Sequence, residues 1–195
     1  MTCSKNEASV SVAAGFLRRG KICILPTDTV YGFSGIAEWS GEQKFCTDEK
    51  IRSIKGRAEE KPLIQLICDP DEIAQYASCE IPPALKCKWP GALTVIVPVK
   101  AGIPFAKKCP SVAFRCPGDS WLRAVIRECG APVYSTSVNR SGSPALGTLH
   151  EIEREFGAEV DLIVDGGSTS GSLPSTLVQL RDGGWTVLRQ GAVSV

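Results

Sequence analysis

Short apolar runs that alternate with helical patterns are the feature that most constrains the fold of this 195-residue chain. Strand-like runs are predicted at 21–25, 62–68, 93–99, 111–116, 132–138 and 160–165. Helices are predicted at 8–19, 41–54, 119–129 and 148–156, and another is predicted to open at Asp69. Residues 175–191 are typical of a hairpin around Asp182. This alternation predicts an α/β fold with a twisted, mixed sheet flanked by helices.

The length and composition of the chain indicate one globular domain, which we place at residues 1–195. A chain of this length can bury a substantial core, and 43% hydrophobic with 22% charged residues is an ordinary globular composition. No apolar run reaches the roughly 18 residues that a membrane-spanning helix needs. The first ten residues lack the apolar core and cleavage site of a secretory signal, so we expect a cytoplasmic protein.

The positions of the cysteines and of the single histidine limit the kinds of catalytic and metal site that we expect in this chain. Nine cysteines are scattered without a Cys-x-x-Cys pair, which predicts free thiols in a reducing compartment. His150, the single histidine, lies at a predicted helix start where Thr148 and Glu151 can form a capping box. We interpret His150 as a surface residue, and we expect neither a protein-held metal site nor a Ser-His-Asp triad.

Three segments rich in Gly, Ser, Thr or Pro follow predicted strands: polar loop 1 (26–35), polar loop 2 (139–147) and polar loop 3 (166–174). Ligands of open α/β sheets gather outside such strand ends. The bland interpretation of polar loop 1 is a turn held by local hydrogen bonds of Asp28 and its neighbouring threonines. The hydroxyls and amide from Ser135 to Asn139 are placed to grip a polar ligand. Polar loop 3 is expected to be flexible enough to act as a lid.

Positive charge is gathered locally, because the formal net charge of the chain is only +1. Lys55, Arg57 and Lys61 stand together just before a predicted strand. They form either a solvated helix end, where cations complement the helix dipole, or a fixed anion site. Arg115 and Arg189 interrupt apolar strands. They either face solvent or bind carboxylate or phosphate through the two-pronged guanidinium group.

Seven motifs follow one another along the chain: PTDTVYG, KGRAEEKPL, WPGALT, SVAFR, STSVNRSGSP, STLVQL and VLRQG. In this order they resemble the YrdC-type threonylcarbamoyl-adenylate synthases, in their short, single-domain form. The resemblance runs from about Lys21 to Gly191. It implies a twisted α/β sheet built around a cationic cavity.

The resemblance also implies an activity. The enzyme would condense L-threonine, bicarbonate and ATP into threonylcarbamoyl-AMP and pyrophosphate. Mg²⁺ would arrive with ATP, because magnesium is usually held by substrate phosphates and water rather than by an all-protein cage. The product would pass to threonylcarbamoyl-transfer proteins that modify tRNA.

Roles for single residues follow from the same resemblance. Threonine would be bound by Thr29, Arg115, Ser135 and Ser175. ATP would be bound by Arg57, Lys61, Ser111, Ser137, Asn139 and Arg189. Catalysis would fall to Lys55 and Arg57, beside the triphosphate. Leu66 stands where many members carry a histidine that contacts the threonine.

Two alternatives stay open. The first is a YciO-like paralogue with the same fold and a different activity. The second is a module that binds double-stranded RNA or tRNA on a concave basic surface. The net charge of +1 and the scarcity of aromatic residues that could be exposed argue against that module. Salt-dependent tRNA binding without ATP turnover would favour it.

Overall fold

The computed structural model describes residues 1–39, 44–56, 63–181 and 183–195. Its strands are β1 Thr2–Ser4, β2 Cys23–Leu25, β3 Gly32–Ile36, β4 Ile64–Leu66, β5 Leu93–Pro98, β6 Ser111–Arg115, β7 Val133–Ser137, β8 Leu162–Asp165, β9 Thr176–Arg181 and β10 Gly184–Arg189. Its α-helices are α1 Glu7–Arg18, α2 Thr47–Lys55, α3 Ile73–Tyr76, α4 Pro83–Lys86, α5 Phe105–Lys108, α6 Ser120–Cys129 and α7 Leu149–Phe156. Within these described ranges, no helix is both long enough and apolar enough to cross a membrane.

Ten strands of the described chain join one sheet, in the order β1-β8-β2-β3-β7-β4-β6-β5-β9-β10. The pairs β1–β8, β2–β8, β4–β6 and β5–β9 are parallel. The pairs β2–β3, β3–β7, β4–β7, β5–β6 and β9–β10 are antiparallel. This confirms the predicted mixed α/β fold. Each predicted strand-like run contains a strand, and the predicted hairpin is β9–β10.

The expectation that residues 26–35 form a loop is wrong from Gly32 onwards, where β3 begins. β3 pairs antiparallel with β2 on one side and β7 on the other, so its backbone hydrogen bonds are satisfied by the sheet. Glycine weakens the local strand signal, which hides β3 in the sequence. Packing nevertheless requires it, because a Cβ at Gly32 would lie 2.5 Å from the hydroxyl oxygen of Ser135. Polar loop 1 is therefore confined to residues 26–31.

The start of α2 also differs from the prediction. The helix expected over 41–54 begins at Thr47, and residues 41–43 lie outside the described chain. The carboxylate of Glu38 accepts the backbone N–H groups of Lys44, Phe45 and Cys46, which holds these residues in a turn instead of a helix. β1 is a further strand that the sequence did not predict, since three residues carry no period.

Other helix starts agree with their sequence signals. The side chain of Asp69 accepts the backbone N–H of Asp71 at 2.9 Å and opens a 3-10 turn that leads into α3. Thr148 and Glu151 form the predicted capping box of α7, and His150 is exposed on that helix. These caps confirm the predicted starts of the two elements.

Helices cover the two faces of the sheet unequally. On one face, α1 and α6 pack on β2, β4, β7 and β8 around Leu66 and Val133. On the opposite face, one apolar cluster contains Phe33 and another contains Phe114. The first face, called the α1/α6 face below, is less covered over β5, β6 and β9. Side chains there are only half-buried: Ile96, Ser111, Leu177 and Gln179.

Candidate active site

Strand register places five of the predicted site residues on the α1/α6 face. Laterally paired residues point to the same face, as do alternate residues along one strand. Leu66 of this face pairs with Arg115, and Ile64 pairs with both Ala113 and Ser135. The same face therefore carries polar side chains from four strands: Thr94, Ser111, Arg115, Ser135, Ser137 and Arg189.

These side chains fall at two levels along the strands. Arg115, Thr94 and Arg189 share one level across β6, β5 and β10, which we call the arginine end. Ser111 lies four residues from Arg115 on β6, about 13 Å away at roughly 3.3 Å per residue. Ser137 lies at the same level as Ser111, and we call this the serine end. The face can therefore bind two ligands, or two parts of one ligand, at separate positions.

Arg115 is the buried centre of the arginine end, with 5% of its surface exposed. Its Nε donates to the carbonyl of Gly91 at 3.0 Å, its Nη1 to the hydroxyl of Thr29 at 2.8 Å and its Nη2 to Asp28 at 2.6 Å. One N–H on each terminal nitrogen has no partner among the described residues. Burial lowers the pKa of Arg115, and the charge of Asp28 acts against that shift. The solvent-facing interpretation of Arg115 is therefore wrong.

Polar loop 1 delivers two partners to Arg115. The hydroxyl of Thr27 accepts the N–H of Thr29 at 3.0 Å and donates to the carbonyl of Val30 at 2.8 Å. The local-turn interpretation of this loop is thus confirmed for Thr27, whereas the side chain of Asp28 bonds to the distant Arg115 and Gly118. The same turn directs the buried Thr29 and the neighbouring Asp28 at the guanidinium group. The turn in polar loop 1 therefore also positions Asp28 and Thr29 against Arg115.

Ser175 and Arg189 complete the arginine end. The hydroxyl oxygen of Ser175 lies 2.7 Å from that of Thr94, and its backbone carbonyl accepts from Nη2 of Arg189 at 2.8 Å. Much of Arg189 is exposed, yet partial burial of its guanidinium lowers its pKa, and the like charge of Arg115 lowers it further. Two cations held this close favour an anion between them.

Lys55 organises the serine end. Only 3% of its surface is exposed, so the solvated-helix-end interpretation is wrong for this residue. Its Nζ donates to the carbonyl of Ser137, to the carbonyl of Asn139 at 3.0 Å and to the side-chain oxygen of Asn139 at 2.8 Å. The hydroxyl of Ser137 donates to that same side-chain oxygen at 2.6 Å. This geometry makes Lys55 a brace for polar loop 2, while its catalytic role stays a prediction.

Arg57 and Lys61 lie outside the described residues. The predicted triphosphate contacts of these two cations, and the cationic cavity they would line, therefore stay predictions. Ser135 is described: it lies between the two ends, 9% exposed, with its hydroxyl above Gly32.

Polar loop 3 joins the other two polar loops. The hydroxyl of Tyr31 accepts the N–H of Gly166 at 2.9 Å and donates to the carbonyl of Gly167 at 2.7 Å. Farther along, the N–H of Thr169 donates to the carbonyl of Gly147 in polar loop 2 at 2.9 Å. The three loops thus form one connected rim. Movement of polar loop 3 as a lid stays a prediction.

Several partners of the site were not predicted. Asp28, Gly91 and Thr94 contact the predicted residues, and the sequence signal for each was weak, since each stands inside a motif whose other members drew attention. Leu66 points to the α1/α6 face but belongs to the apolar cluster beneath α1 and α6, with 2% exposure. It supplies apolar packing beside Arg115 and no polar group.

Comparisons with known proteins identify the family. The Sua5/YciO/YrdC family model, described as "Telomere recombination", matches residues 15–191. Threonylcarbamoyl-AMP synthase of Bacillus subtilis is 32% identical over 98% of this chain, and the chain spans 56% of that protein. A putative threonylcarbamoyl-AMP synthase of Methanocaldococcus jannaschii is 32% identical over 97% of the chain, which spans 91% of it.

A solved structure gives the same result for the fold. Pyrococcus abyssi Sua5, crystallised with L-threonine, superposes with a TM-score of 0.84 at 28% identity over 98% of this chain. The chain spans 57% of that structure, so it covers about half the length of several relatives it matches. The family match extends over nearly the whole chain and includes polar loops 1, 2 and 3. The chain therefore belongs to the Sua5/YciO/YrdC family.

Proposed function

We propose that this chain is an L-threonylcarbamoyladenylate synthase, a nucleotidyltransferase that joins L-threonine, bicarbonate and ATP. The observation that carries the proposal is the arginine end. Arg115 is buried there among Asp28, Thr29 and Gly91, and two of its N–H donors have no partner among the described residues. A guanidinium fixed in this way suits a carboxylate. Relatives that carry the synthase name, and a relative crystallised with L-threonine, support the same substrate.

The two levels of the α1/α6 face would bind different substrates. Threonine would place its carboxylate on Arg115, with the hydroxyls of Thr29, Ser135 and Ser175 completing its pocket. ATP would extend from the serine end, on Ser111, Ser137 and Asn139, to Arg189 at the arginine end, with Arg57 and Lys61 as further cationic contacts. Lys55 would act by holding polar loop 2 in the shape that receives the nucleotide.

Such a site needs little acid-base machinery. The threonine amine, after losing the proton of its ammonium form, would combine with bicarbonate to give the carbamate and water. An oxygen of the carbamate would then attack the α-phosphorus of ATP. The bond from that phosphorus to the oxygen bridging to the β-phosphate would break, and pyrophosphate would leave with the electrons of that bond. The enzyme would contribute by positioning the two reactants and by offsetting the charge that develops on phosphate oxygens. Fixed hydrogen-bond donors, such as those at both ends of the face, serve this purpose.

Magnesium is part of the proposal. Within residues 1–39, 44–56, 63–181 and 183–195, no group of three or more His, Cys, Asp or Glu side chains is placed to hold a metal ion. We therefore assign Mg²⁺ to the phosphates of ATP and to water, its usual ligands in nucleotide enzymes. There it would neutralise phosphate charge.

The product would be handed to threonylcarbamoyl-transfer proteins that act on tRNA, and the reaction would take place in the cytoplasm. Rapid transfer of the product is expected because a mixed carbamic-phosphoric anhydride is unstable in water.

Pyrophosphate release tests the activity. The protein is incubated with ATP, Mg²⁺, bicarbonate and L-threonine, and pyrophosphate and the adenylate are followed together. Release should require threonine and bicarbonate at once and should be lost in Arg115→Ala. The exposed Arg154→Ala on α7 is the matched control and should retain activity. ATP hydrolysis at equal rate without threonine would instead favour a YciO-like activity.

A further inference from the structure

The ion pair between Asp28 and Arg115 gives the arginine end a property beyond anion binding. Oδ1 of Asp28 lies 2.6 Å from Nη2 of Arg115, and the side chains are 22% and 6% exposed. A pair this buried fixes one negative and one positive charge side by side. A simple anion that approaches Arg115 also approaches the carboxylate of Asp28, which opposes its binding.

Asp28 is held as firmly as the arginine it contacts. Its Oδ2 accepts the backbone N–H of Gly118 at 2.9 Å. Gly118 lies so close that a Cβ there would come within 2.9 Å of the same oxygen. Each carboxylate oxygen has room for two hydrogen bonds, so each keeps one acceptor position beyond its contact with the described residues. Partial exposure leaves those positions within reach of a ligand.

We propose that Asp28 and Arg115 together recognise the substrate as a zwitterion, with its carboxylate on Arg115 and its α-ammonium on Asp28. The inference rests on the proposed function, because it names a determinant of substrate class in that same site. A free α-amino acid matches the pair charge for charge. A hydroxy acid or simple carboxylic acid matches only Arg115 and leaves the Asp28 carboxylate facing an uncharged group, which disfavours it.

The alternative is that Asp28 only aims Arg115. In that case its removal would weaken every carboxylate ligand alike, with or without an ammonium group. A ligand that lacks only the ammonium therefore separates the two roles. 3-Hydroxybutyrate keeps the carboxylate, the hydroxyl and the carbon chain of threonine and has hydrogen in place of the ammonium.

The test is calorimetric titration of L-threonine and of 3-hydroxybutyrate into the wild-type chain and into Asp28→Asn. The asparagine keeps the size and a carbonyl oxygen but loses the charge. Asp161→Asn is the matched control, because Asp161 also accepts a backbone N–H, from Ile22 at 2.9 Å, and pairs with a cation, Lys21, at 3.0 Å. Thermal melts of each variant check folding.

We expect Asp28→Asn to lower the affinity for threonine at least about tenfold, which is the effect of losing a charge-assisted hydrogen bond. The affinity for 3-hydroxybutyrate should stay the same or rise, because the negative charge of Asp28 then no longer offsets the positive charge of Arg115. The preference for threonine over 3-hydroxybutyrate should thus fall at least about tenfold, and Asp161→Asn should leave it unchanged.

Three other results would overturn the inference, and one of them also bears on the proposed function. Equal losses for both ligands would make Asp28 a residue that only aims Arg115. Unchanged affinity for both ligands in Asp28→Asn would remove Asp28 from recognition. Failure of the wild-type chain to bind threonine at all would count against the proposed function as well, whereas the first two results leave that function standing.

Discussion

Replacing Lys55 with methionine should remove the buried cation that braces polar loop 2. The Lys55 ammonium donates to the carbonyl of Ser137 and to both oxygens of Asn139, the latter at 3.0 and 2.8 Å. Methionine fills most of the same volume, but it leaves these three acceptors without their donor. If polar loop 2 depends on the brace, both stability and nucleotide affinity should fall together.

The size of the loss follows from two opposing terms. A hydrogen bond from a charged donor contributes about 1.5–3 kcal/mol, whereas burying an ammonium costs several kcal/mol. Removing the ammonium leaves the carbonyl oxygens of Ser137 and Asn139 without this donor, while the side-chain oxygen of Asn139 still accepts from the Ser137 hydroxyl. A buried acceptor that is left unsatisfied costs about 1–3 kcal/mol. Methionine recovers part of this loss through its own apolar burial. We therefore expect Lys55→Met to lower the free energy of unfolding by about 2–4 kcal/mol.

Urea denaturation measures this loss, and Lys50→Met is the matched control. Lys50 lies on the same helix, is exposed and donates to the carbonyl of Gly20 at 3.2 Å. Its replacement should change the free energy of unfolding by no more than about 0.5 kcal/mol. The reasoning is refuted if Lys55→Met is as stable as the control yet no longer binds ATP. Lys55 would then act on the phosphates directly.

Three further outcomes are expected. Arg115→Lys should raise the KM for threonine at least about tenfold, since lysine keeps the charge but loses the planar fork, while ATP affinity moves much less; equal losses for both ligands would contradict this. Arg57→Ala and Lys61→Ala should each weaken ATP binding about ten- to a hundredfold relative to a Glu59→Ala control, by titration with nucleotide. Unchanged affinity in both variants would favour the alternative interpretation of these cations as a solvated helix end. Tyr31→Phe should leave the melting temperature nearly unchanged but speed proteolysis of polar loop 3, because the loop then loses both hydrogen bonds to the Tyr31 hydroxyl; an unaltered cleavage rate would show that other contacts hold it.

Strong local patterns account for what could be predicted of the fold. Apolar runs with β-branched residues located six strands, and capping residues such as Asp69 and Thr148 marked helix starts. β3 escaped because Gly32 and Gly35 weaken its strand signal, although the sheet on both sides requires them. Its identity as a strand depends on neighbours that are distant in sequence, which no local pattern records.

The same limit applies to the site. The motifs pointed to Thr29 and Arg115, and the structure joins these two side chains. Asp28 was not predicted as a site residue, because its meaning comes from a partner 87 residues away. Lys55 was predicted to face phosphate, and only the folded chain places its ammonium against residues 82 and 84 positions farther on. Long-range contacts of this kind decide what each polar side chain does.

The order of strands in the sheet has a consequence for how the chain acquires its shape. β1 pairs with β8, and β9 pairs with β5, so strands from the first and last parts of the sequence lie side by side. A chain emerging from the ribosome can form α1 at once, but β1 has no neighbour until residues 162–165 are made. Contacts that close such long loops slow folding. The arginine end joins residues from 28 to 189, so it cannot form until nearly all of the chain has been made.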